Sequence, residues 1–303
     1  MYRREFLKSS ALGFLGFCFK DDILKFRNGM HKRKIPKSGE LLPVVGVGTW
    51  QTFDVGETAS EMAPLKEVLR LLIENGGSVI DSSPMYGRSE KVAGQLIKDL
   101  GIRKSIFCAT KVWTNGREAG IRQMEQSMDL MNANPMDLMQ IHNLVDWKMH
   151  LPVLRDWKEK GKIRFIGITH YHEGAFDQVE QVMKKEPLDF IQINYSIRSR
   201  DAENILLPLA RDKGIAVLIN QPFESGSLFS YVKGKKLPEW AKEFDCNSWA
   251  QFFLKFILSN SYVTCVIPGT DNPKHLIDNV QAGFGRFPDD AMKKRMVDLI
   301  NGF

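Results

Sequence analysis

The chain has 303 residues, 43% of them apolar and 26% charged, a balance that excludes a disordered, collagen-like or polytopic membrane protein. Its formal net charge of +6 lies in the first 34 residues, which hold nine Lys or Arg against three Asp or Glu. The remaining 269 residues are formally neutral and have no excess positive charge for binding phosphates. We therefore expect no nucleic-acid partner.

The N-terminus has the features of an export signal. Arg3 and Arg4 begin the motif Arg-Arg-Glu-Phe-Leu-Lys, and residues 10–19 form an apolar run too short to span a bilayer. The motif resembles the twin-arginine signal, which implies recognition by the twin-arginine export machinery and a periplasmic protein. We predict a leader and linker over residues 1–32 and one domain over residues 33–303. The alternative is a basic tail on a cytoplasmic protein.

From Leu42 onward, short runs rich in Val and Ile alternate with longer amphipathic stretches. Runs that are apolar on both faces are typical of buried parallel strands. Eight strands are predicted, at Val44–Gly48, Ser78–Asp81, Ile106–Lys111, Asp137–His142, Ile163–Ile168, Phe190–Asn194, Ala216–Ile219 and Val263–Pro268. Seven helices are predicted between them, at Glu61–Glu74, Glu90–Leu100, Glu118–Met131, Pro152–Lys160, Phe176–Lys185, Ala202–Asp212 and Asn247–Leu258.

The predicted strands two to seven end 25 to 31 residues apart, the length of one strand and one crossover helix. Eight such units predict a closed (β/α)₈ TIM barrel. The first strand is not followed by Gly-x-Gly-x-x-Gly, so the sequence lacks the fingerprint of an open dinucleotide-binding sheet. We also predict a hairpin cap over Arg33–Leu42, an inserted lid within residues 226–247 and an extra C-terminal helix over Asp289–Asn301.

Four polar residues follow the second, third and fourth predicted strands: Asp81, Tyr86, Lys111 and His142. The active site of such a barrel lies where strands end, so these side chains should converge. A lysine ammonium favours the phenolate form of a tyrosine, a carboxylate keeps the lysine charged, and a histidine can orient a substrate oxygen. Each residue alone has an ordinary structural explanation, but together they predict a proton donor aimed at a carbonyl oxygen that receives hydride.

The sequence resembles the aldo-keto reductase family over residues 33–303. The motifs that carry the resemblance are LPVVGVGTW (42–50), IDSSPMYGRSE (80–90), ATKVW (109–113), MQIHN (139–143), GKIRFIGIT (161–169) and IPGT (267–270). The resemblance implies that Asp81, Tyr86, Lys111 and His142 are the catalytic tetrad, with Tyr86 as proton donor. It also implies that NADP or NAD lies across the barrel mouth, with NADP slightly favoured, and that the substrate is a small carbonyl or alcohol compound.

The resemblance further implies a set of cofactor-binding positions. They are Thr49, Trp50, Thr169, His170, Gln192, Asn220, Pro222, Phe223, Gly226, Gly269, Thr270, His275, Asp278 and Asn279. Some depart from the family pattern: Asn220 replaces the tyrosine that many members stack on the nicotinamide, and His275 replaces a frequent arginine. We expect Trp50 and Trp113 to line the substrate pocket, although packing in the core is an equal alternative.

Two other functions are compatible with parts of the pattern. The altered cofactor positions leave room for a cofactor-binding sensor or partner subunit that keeps the reductase fold. A metal-dependent hydrolase would need clustered ligands, but His170 and His172 flank Tyr171 without a matching acid, so we expect no metal. We expect a monomer. Among these functions we favour a working reductase, because the tetrad is intact.

Overall fold

The computed structural model describes residues 29–303, and the twin-arginine motif and apolar run lie outside them. It contains an antiparallel hairpin, β1 (Lys32–Lys34) and β2 (Leu41–Pro43), followed by eight parallel barrel strands. The barrel strands are β3 (Val47–Gly48), β4 (Val79–Asp81), β5 (Phe107–Val112), β6 (Met136–His142), β7 (Ile163–Thr169), β8 (Phe190–Asn194), β9 (Ala216–Asn220) and β10 (Cys265–Val266).

The eight strands are hydrogen-bonded in chain order from β3 to β10. The backbone then joins the two ends: Gly46 N donates to Val266 O at 2.8 Å, and Val266 N donates to Val44 O at 2.9 Å. This pairing closes the sheet and leaves no free edge between the first and last strands. The predicted (β/α)₈ TIM barrel, with its hairpin cap, is confirmed.

Ten α-helices occur in the described residues: α1 (Ala59–Glu74), α2 (Ser89–Leu100), α3 (Arg117–Leu130), α4 (Trp147–Glu159), α5 (Phe176–Lys185), α6 (Leu206–Lys213), α7 (Ser227–Tyr231), α8 (Trp249–Ser259), α9 (Pro273–Gln281) and α10 (Asp290–Asn301). None of the helices described is long and apolar enough to cross a membrane. The extra C-terminal helix is α10, whose N-cap Asp289 accepts a hydrogen bond from Met292 N at 2.8 Å.

Four helices differ from the sequence prediction, and one of them, α7, lies in the insertion where no helix was predicted. Helix α4 begins at Trp147, five residues before the predicted start at Pro152, so this proline lies inside the helix and removes one backbone donor there. The predicted helix over 202–212 divides into a 3₁₀ turn at Asp201–Glu203 and α6. Helix α9 was not predicted, although Pro273 at its first position and the N-cap Asn272 are ordinary start signals.

The barrel interior consists of an apolar lower layer and a polar upper layer. Phe107, Phe165 and Phe190 pack together with ring centres 5.5–6.0 Å apart, and Leu42 of the hairpin belongs to the same buried cluster. Since side chains of a strand alternate between its two faces, the positions two and four residues beyond each phenylalanine also point inward. Lys111 therefore enters the barrel from β5, at the level where the strands end.

The segment between β9 and α8 is a true insertion with its own short helices. It contains α7 and a 3₁₀ helix at Glu239–Phe244, and Leu228 and Phe244 bury their side chains in the main core. The segment is therefore packed on the barrel body rather than detached from it. The sequence analysis predicts that this segment is a lid over the cofactor, and this stays a prediction.

Candidate active site

A buried ion pair forms the centre of the barrel mouth. Lys111 Nζ donates to Asp81 Oδ2 at 2.6 Å and to the Ser82 carbonyl oxygen at 2.7 Å, and both charged side chains are almost entirely buried. Burial acts to lower the pKa of Lys111, but the charge of Asp81 and the side-chain hydrogen bonds to Asp81 and Tyr86 outweigh it and raise that pKa. The lysine is thus held as an ammonium ion in an interior that would otherwise disfavour a charge.

Tyr86 lies directly beside this pair. Lys111 Nζ is 4.8 Å from the centre of the phenol ring. Burial raises the pKa of Tyr86, while the Lys111 ammonium acts in the opposite direction. The sequence analysis gave the sign of the lysine effect correctly but left out burial, which is the larger cause. The phenol is therefore held in its protonated form, the form that a proton donor needs.

His142 completes the group of four. Its ring meets the ring of Tyr86 edge to face at a centroid distance of 5.8 Å, and Nδ1 shares a 2.9 Å hydrogen bond with Ser83 Oγ. Burial and the Lys111 charge lower the pKa of His142 to about 2. The imidazole is consequently neutral at any physiological pH, so it can act as a hydrogen-bond partner but not as an acid of ordinary strength.

Two glutamines that flank Asp81 extend the network. Gln140 Nε2 and Gln192 Nε2 donate to Asp81 Oδ1 at 3.0 and 2.8 Å. Gln140 was missed by the sequence analysis. Its signal was available, because a polar residue two positions before His142 in a buried strand must point into the same barrel mouth. Gln192 was predicted to bind the nicotinamide amide, and here its amide group also positions the tetrad carboxylate.

The predicted nicotinamide positions form a connected polar patch above these residues. Thr169 Oγ1 donates to Gln192 Oε1 at 3.2 Å, and Asn220 Nδ2 donates to the His170 carbonyl oxygen at 3.2 Å. Asn220 Oδ1 is buried and has no hydrogen-bond partner among the described residues. A buried acceptor without a donor favours a ligand group such as a carboxamide N–H. The residues at this end therefore fit a nicotinamide.

The predicted phosphate positions are more exposed. Gly269 and His275 are exposed around the start of α9, as are their neighbours Asp271 and Lys274, and Thr270 is buried with its hydroxyl accepting from Asn272 N at 3.1 Å. The other predicted positions in this half are held by packing or by protein contacts rather than by the tetrad network. They are Pro222, Phe223 and Gly226 in the loop after β9, Asp278, which accepts from Gln251, and the buried Asn279.

The remaining predicted positions occupy the rim of the mouth. Trp50 and Trp113 are 43% and 42% exposed, so the alternative of ordinary core packing is wrong. Trp113 also lies 6.4 Å from the ring of His142, as a pocket wall would. Thr49 is fully buried, with its hydroxyl 2.9 Å from the Ser82 hydroxyl. It supports the Asp81 loop from below.

Comparison with known proteins identifies the family of the chain. The model of the aldo/keto reductase family matches residues 44–296. The chain belongs to this family. Among curated relatives, it is 28% identical over 231 residues to an aldo-keto reductase of Bacillus subtilis, covering 71% of this chain and 68% of the relative. It is also 28% identical over 246 residues to a methylglyoxal reductase of Escherichia coli, covering 78% and 84%.

Solved structures share the fold at lower sequence identity. An aldo-keto reductase of Klebsiella pneumoniae in complex with NADPH superposes with a TM-score of 0.75 at 22% identity, covering 89% of this chain and 96% of that one. A Bacillus halodurans aldo-keto reductase gives a TM-score of 0.71 at 22% identity, with the same coverage. These likenesses confirm the barrel architecture.

Proposed function

We propose that the protein reduces an aldehyde or ketone with NADPH or NADH, or oxidises the corresponding alcohol, with Tyr86 as the proton donor. The observation that carries the proposal is the buried Lys111–Asp81 pair beside a protonated phenol at the barrel mouth. Family membership and the name of the methylglyoxal reductase relative support the reaction class.

The chemistry divides between the cofactor and this chain's residues. A reduced nicotinamide, when bound, supplies a hydride to the carbonyl carbon. In this proposal Gln192 and Asn220 hold its carboxamide, which is supported by the buried Asn220 Oδ1 that has no hydrogen-bond partner among the described residues. At the phosphate end, Thr270 and Lys274 are the residues available for the adenosine phosphates.

Tyr86 supplies the proton that completes the alcohol. As the carbonyl oxygen gains charge it becomes far more basic than a phenolate, so the Tyr86 proton moves to it and leaves phenolate behind. The Lys111 ammonium stabilises this phenolate, and Asp81 keeps Lys111 charged and oriented. The phenolate regains its proton from solvent before the next turnover.

His142 orients the substrate in this proposal. When Ser83 donates to Nδ1, the proton of the neutral imidazole lies on Nε2. That N–H can donate to the carbonyl oxygen. A neutral donor positions the oxygen without competing with Tyr86 for proton transfer, which assigns the two residues different tasks.

A substrate screen tests the proposal. Purified full-length protein is mixed with NADPH or NADH and with methylglyoxal, simple aldehydes, ketones and sugars, and the loss of reduced nicotinamide absorbance is followed. Turnover that requires both carbonyl and cofactor supports the reductase. Tight cofactor binding without turnover on any of these classes contradicts it and favours the sensor function.

For the N-terminus we propose twin-arginine export to the periplasm, on the sequence motif alone. Residues 1–34 fused to a folded reporter should carry it across the inner membrane, and Arg3→Lys combined with Arg4→Lys should stop transport. A reporter that stays in the cytoplasm behind the native leader contradicts the proposal.

A further inference from the structure

A cavity of about 270 Å³ opens between the loops that follow β7, β8 and β9. Its volume is close to the lower end of the range of about 300–1,000 Å³ for small-molecule sites. Its lining comes from these three loops and includes none of the tetrad and none of the residues around α9. The cavity is therefore distinct from the proton donor and the predicted adenosine-phosphate segment, but its lining residues Gln221 and Glu224 belong to the loop that holds the predicted cofactor positions Pro222, Phe223 and Gly226.

Asn194 and Ser196 are buried polar residues of this cavity, and Asn194 has an unpaired atom. Asn194 follows Gln192 by two positions in β8, so both side chains are on the inward face of the strand, and Asn194 is 8% exposed. Its Nδ2 donates to Ser199 Oγ at 2.9 Å, whereas its Oδ1 is buried and has no hydrogen-bond partner among residues 29–303. A buried acceptor without a donor is unfavourable, so the cavity favours a ligand that donates.

Two carboxylates supply further acceptors. The Ser199 hydroxyl donates to Glu173 Oε1, and the Ser196 hydroxyl donates to Glu224 Oε1. Both serine protons are thus directed at protein atoms. The Ser196 oxygen also accepts from Arg198 N and Ser199 N, so the lone pairs available to a ligand are those that remain on the two carboxylates. A wall of this kind recognises groups that carry O–H or N–H bonds and repels phosphates and carboxylates.

The positive charge at the edge of the cavity argues against an ammonium ligand. Arg198 Nη1 is 3.9 Å from Glu224 Oε2, and its guanidinium lies 3.9 Å from the centre of the Tyr231 ring. An ammonium ion would have to compete with Arg198 for Glu224. A neutral hydroxyl only needs a free lone pair, which both carboxylates keep.

The cavity also has a flat aromatic wall. Tyr171 is 48% exposed, and its ring stacks on His170 at a centroid distance of 5.5 Å with an interplanar angle of 13°. An exposed ring beside several acceptors suits a ligand with an apolar C–H face and hydroxyls around its edge. His170 links this wall to the predicted nicotinamide patch, since its carbonyl oxygen accepts from Asn220.

We propose that the cavity binds the vicinal hydroxyls of a neutral polyol, such as one edge of a sugar. Asn194, Glu173 and Glu224 accept from the hydroxyls, and Tyr171 contacts the C–H face. A consequence, which rests on the proposed reductase function, is that polyhydroxylated carbonyl compounds are preferred to alkyl carbonyl compounds of the same length.

Binding is tested first, without cofactor, so that it does not depend on turnover. Ligand-observed NMR titrations of the full-length protein use sorbitol and methyl α-glucopyranoside as probes. Cyclohexanol, ethanolamine and glucose 6-phosphate test the apolar, cationic and anionic alternatives. The variants are Asn194→Leu and Glu224→Gln, with Asn301→Leu on the exposed end of α10 as the matched control.

We expect both polyols to bind, and both variants to weaken binding at least tenfold while Asn301→Leu does not. Glu224→Gln keeps the side-chain shape in a surface loop, so it decides the matter even if Asn194→Leu unfolds in a melting experiment. The proposal is overturned if the polyols do not bind, if Glu224→Gln binds them as the parent does, or if a charged or apolar probe binds equally well.

Turnover then separates this inference from the reductase function. The ratio of kcat/KM for xylose to kcat/KM for pentanal should be about tenfold lower in Glu224→Gln than in the parent. An unchanged ratio overturns the link between the cavity and substrate choice. Absence of turnover on both compounds in every protein counts against the reductase alone, because the polyol titrations stand without it.

Discussion

The tetrad half of the barrel mouth is buried and cross-linked, whereas the half expected to hold the cofactor phosphates is exposed and sparsely bonded. In the first half, Asp81 accepts from Lys111, Gln140 and Gln192 within 3.0 Å. In the second half, Lys274 and His275 are exposed at the start of α9. A buried network loses much of its function when one member changes, while exposed charges contribute small and separable amounts.

The largest effect is expected from Tyr86→Phe, which removes only the phenolic oxygen of the buried half. Carbonyl reduction should fall at least about a thousandfold, within the range for general acid catalysis, with cofactor affinity retained. Steady-state kinetics and a cofactor titration measure the two quantities. Tyr262→Phe, at a partly buried tyrosine that hydrogen-bonds Arg211, is the matched control. Turnover within about tenfold of the parent would remove Tyr86 from the donor role.

Lys111→Met should lower the rate by about a hundredfold or more, because the phenolate loses its counter-ion. The sign of the pH effect follows from the pKa of Tyr86, which burial raises and Lys111 lowers. Without Lys111 that pKa moves further up. Since reduction needs the protonated phenol, the alkaline fall in kcat should move to higher pH.

The control for this variant is Lys158→Met, which removes a partly exposed ion pair with Asp189. Lys111→Met also leaves the buried Asp81 without its cation, a loss of about 3–5 kcal/mol in comparable buried pairs. Unfolding curves must therefore accompany the kinetics. An unchanged pH profile in a folded variant would make Lys111 a structural residue.

His142 offers a stability test of the same buried half. Its pKa is lowered to about 2 in the folded protein, whereas the pKa of a histidine in an unfolded chain is about 6.5. Below that pH the unfolded chain takes up a proton that the folded chain refuses, so this residue makes the free energy of unfolding fall as pH falls. His142→Gln should flatten that fall by up to about 1.4 kcal/mol per pH unit.

Urea unfolding of the parent and His142→Gln at pH 7 and pH 5 measures the difference, and His275→Gln at an exposed position is the control. If the parent and His142→Gln lose the same stability between these two pH values, His142 is not held neutral by the fold.

The tetrad could be predicted from the sequence because strand ends and strand periodicity fix its position. Residues 107, 109 and 111 share one face of β5 whatever the loops do, and the same rule would have included Gln140. Burial shifts the pKa values of the tetrad side chains, however, and only the packed structure shows how far each side chain is buried. The raised pKa of Tyr86 depends on how completely the rim covers the phenol, which no local pattern encodes.

The contacts between the loops could not be predicted from the sequence, for a different reason. Asn194 was visible as the end of a strand, but its unpartnered oxygen depends on how three loops from distant parts of the chain meet. Helix α9 was overlooked because its segment was interpreted only through its match to the phosphate-binding positions. The capping residue Asn272, whose side chain accepts from Lys274 N at 2.9 Å, was the local signal.

The smallest effects should come from the exposed half, where cofactor choice is decided. NADP carries one more phosphate than NAD and needs cationic donors. Lys274 is a cation close in sequence to the expected 2′-phosphate position, and Asp271 adds a negative charge there. His275 stands where an arginine is frequent in the family. We expect NADPH to be favoured by at most about 2 kcal/mol, or roughly thirtyfold, the contribution of one or two exposed charge-assisted hydrogen bonds.

His275→Arg should strengthen NADPH binding by about tenfold and leave NADH binding unchanged, whereas Lys274→Ala should weaken NADPH binding alone. Fluorescence titrations at low and physiological salt separate these contributions, since screening reduces exposed pairs most. A parent preference above a thousandfold would mean that another arginine or lysine reaches the phosphate, and that this half of the mouth is as tightly organised as the tetrad.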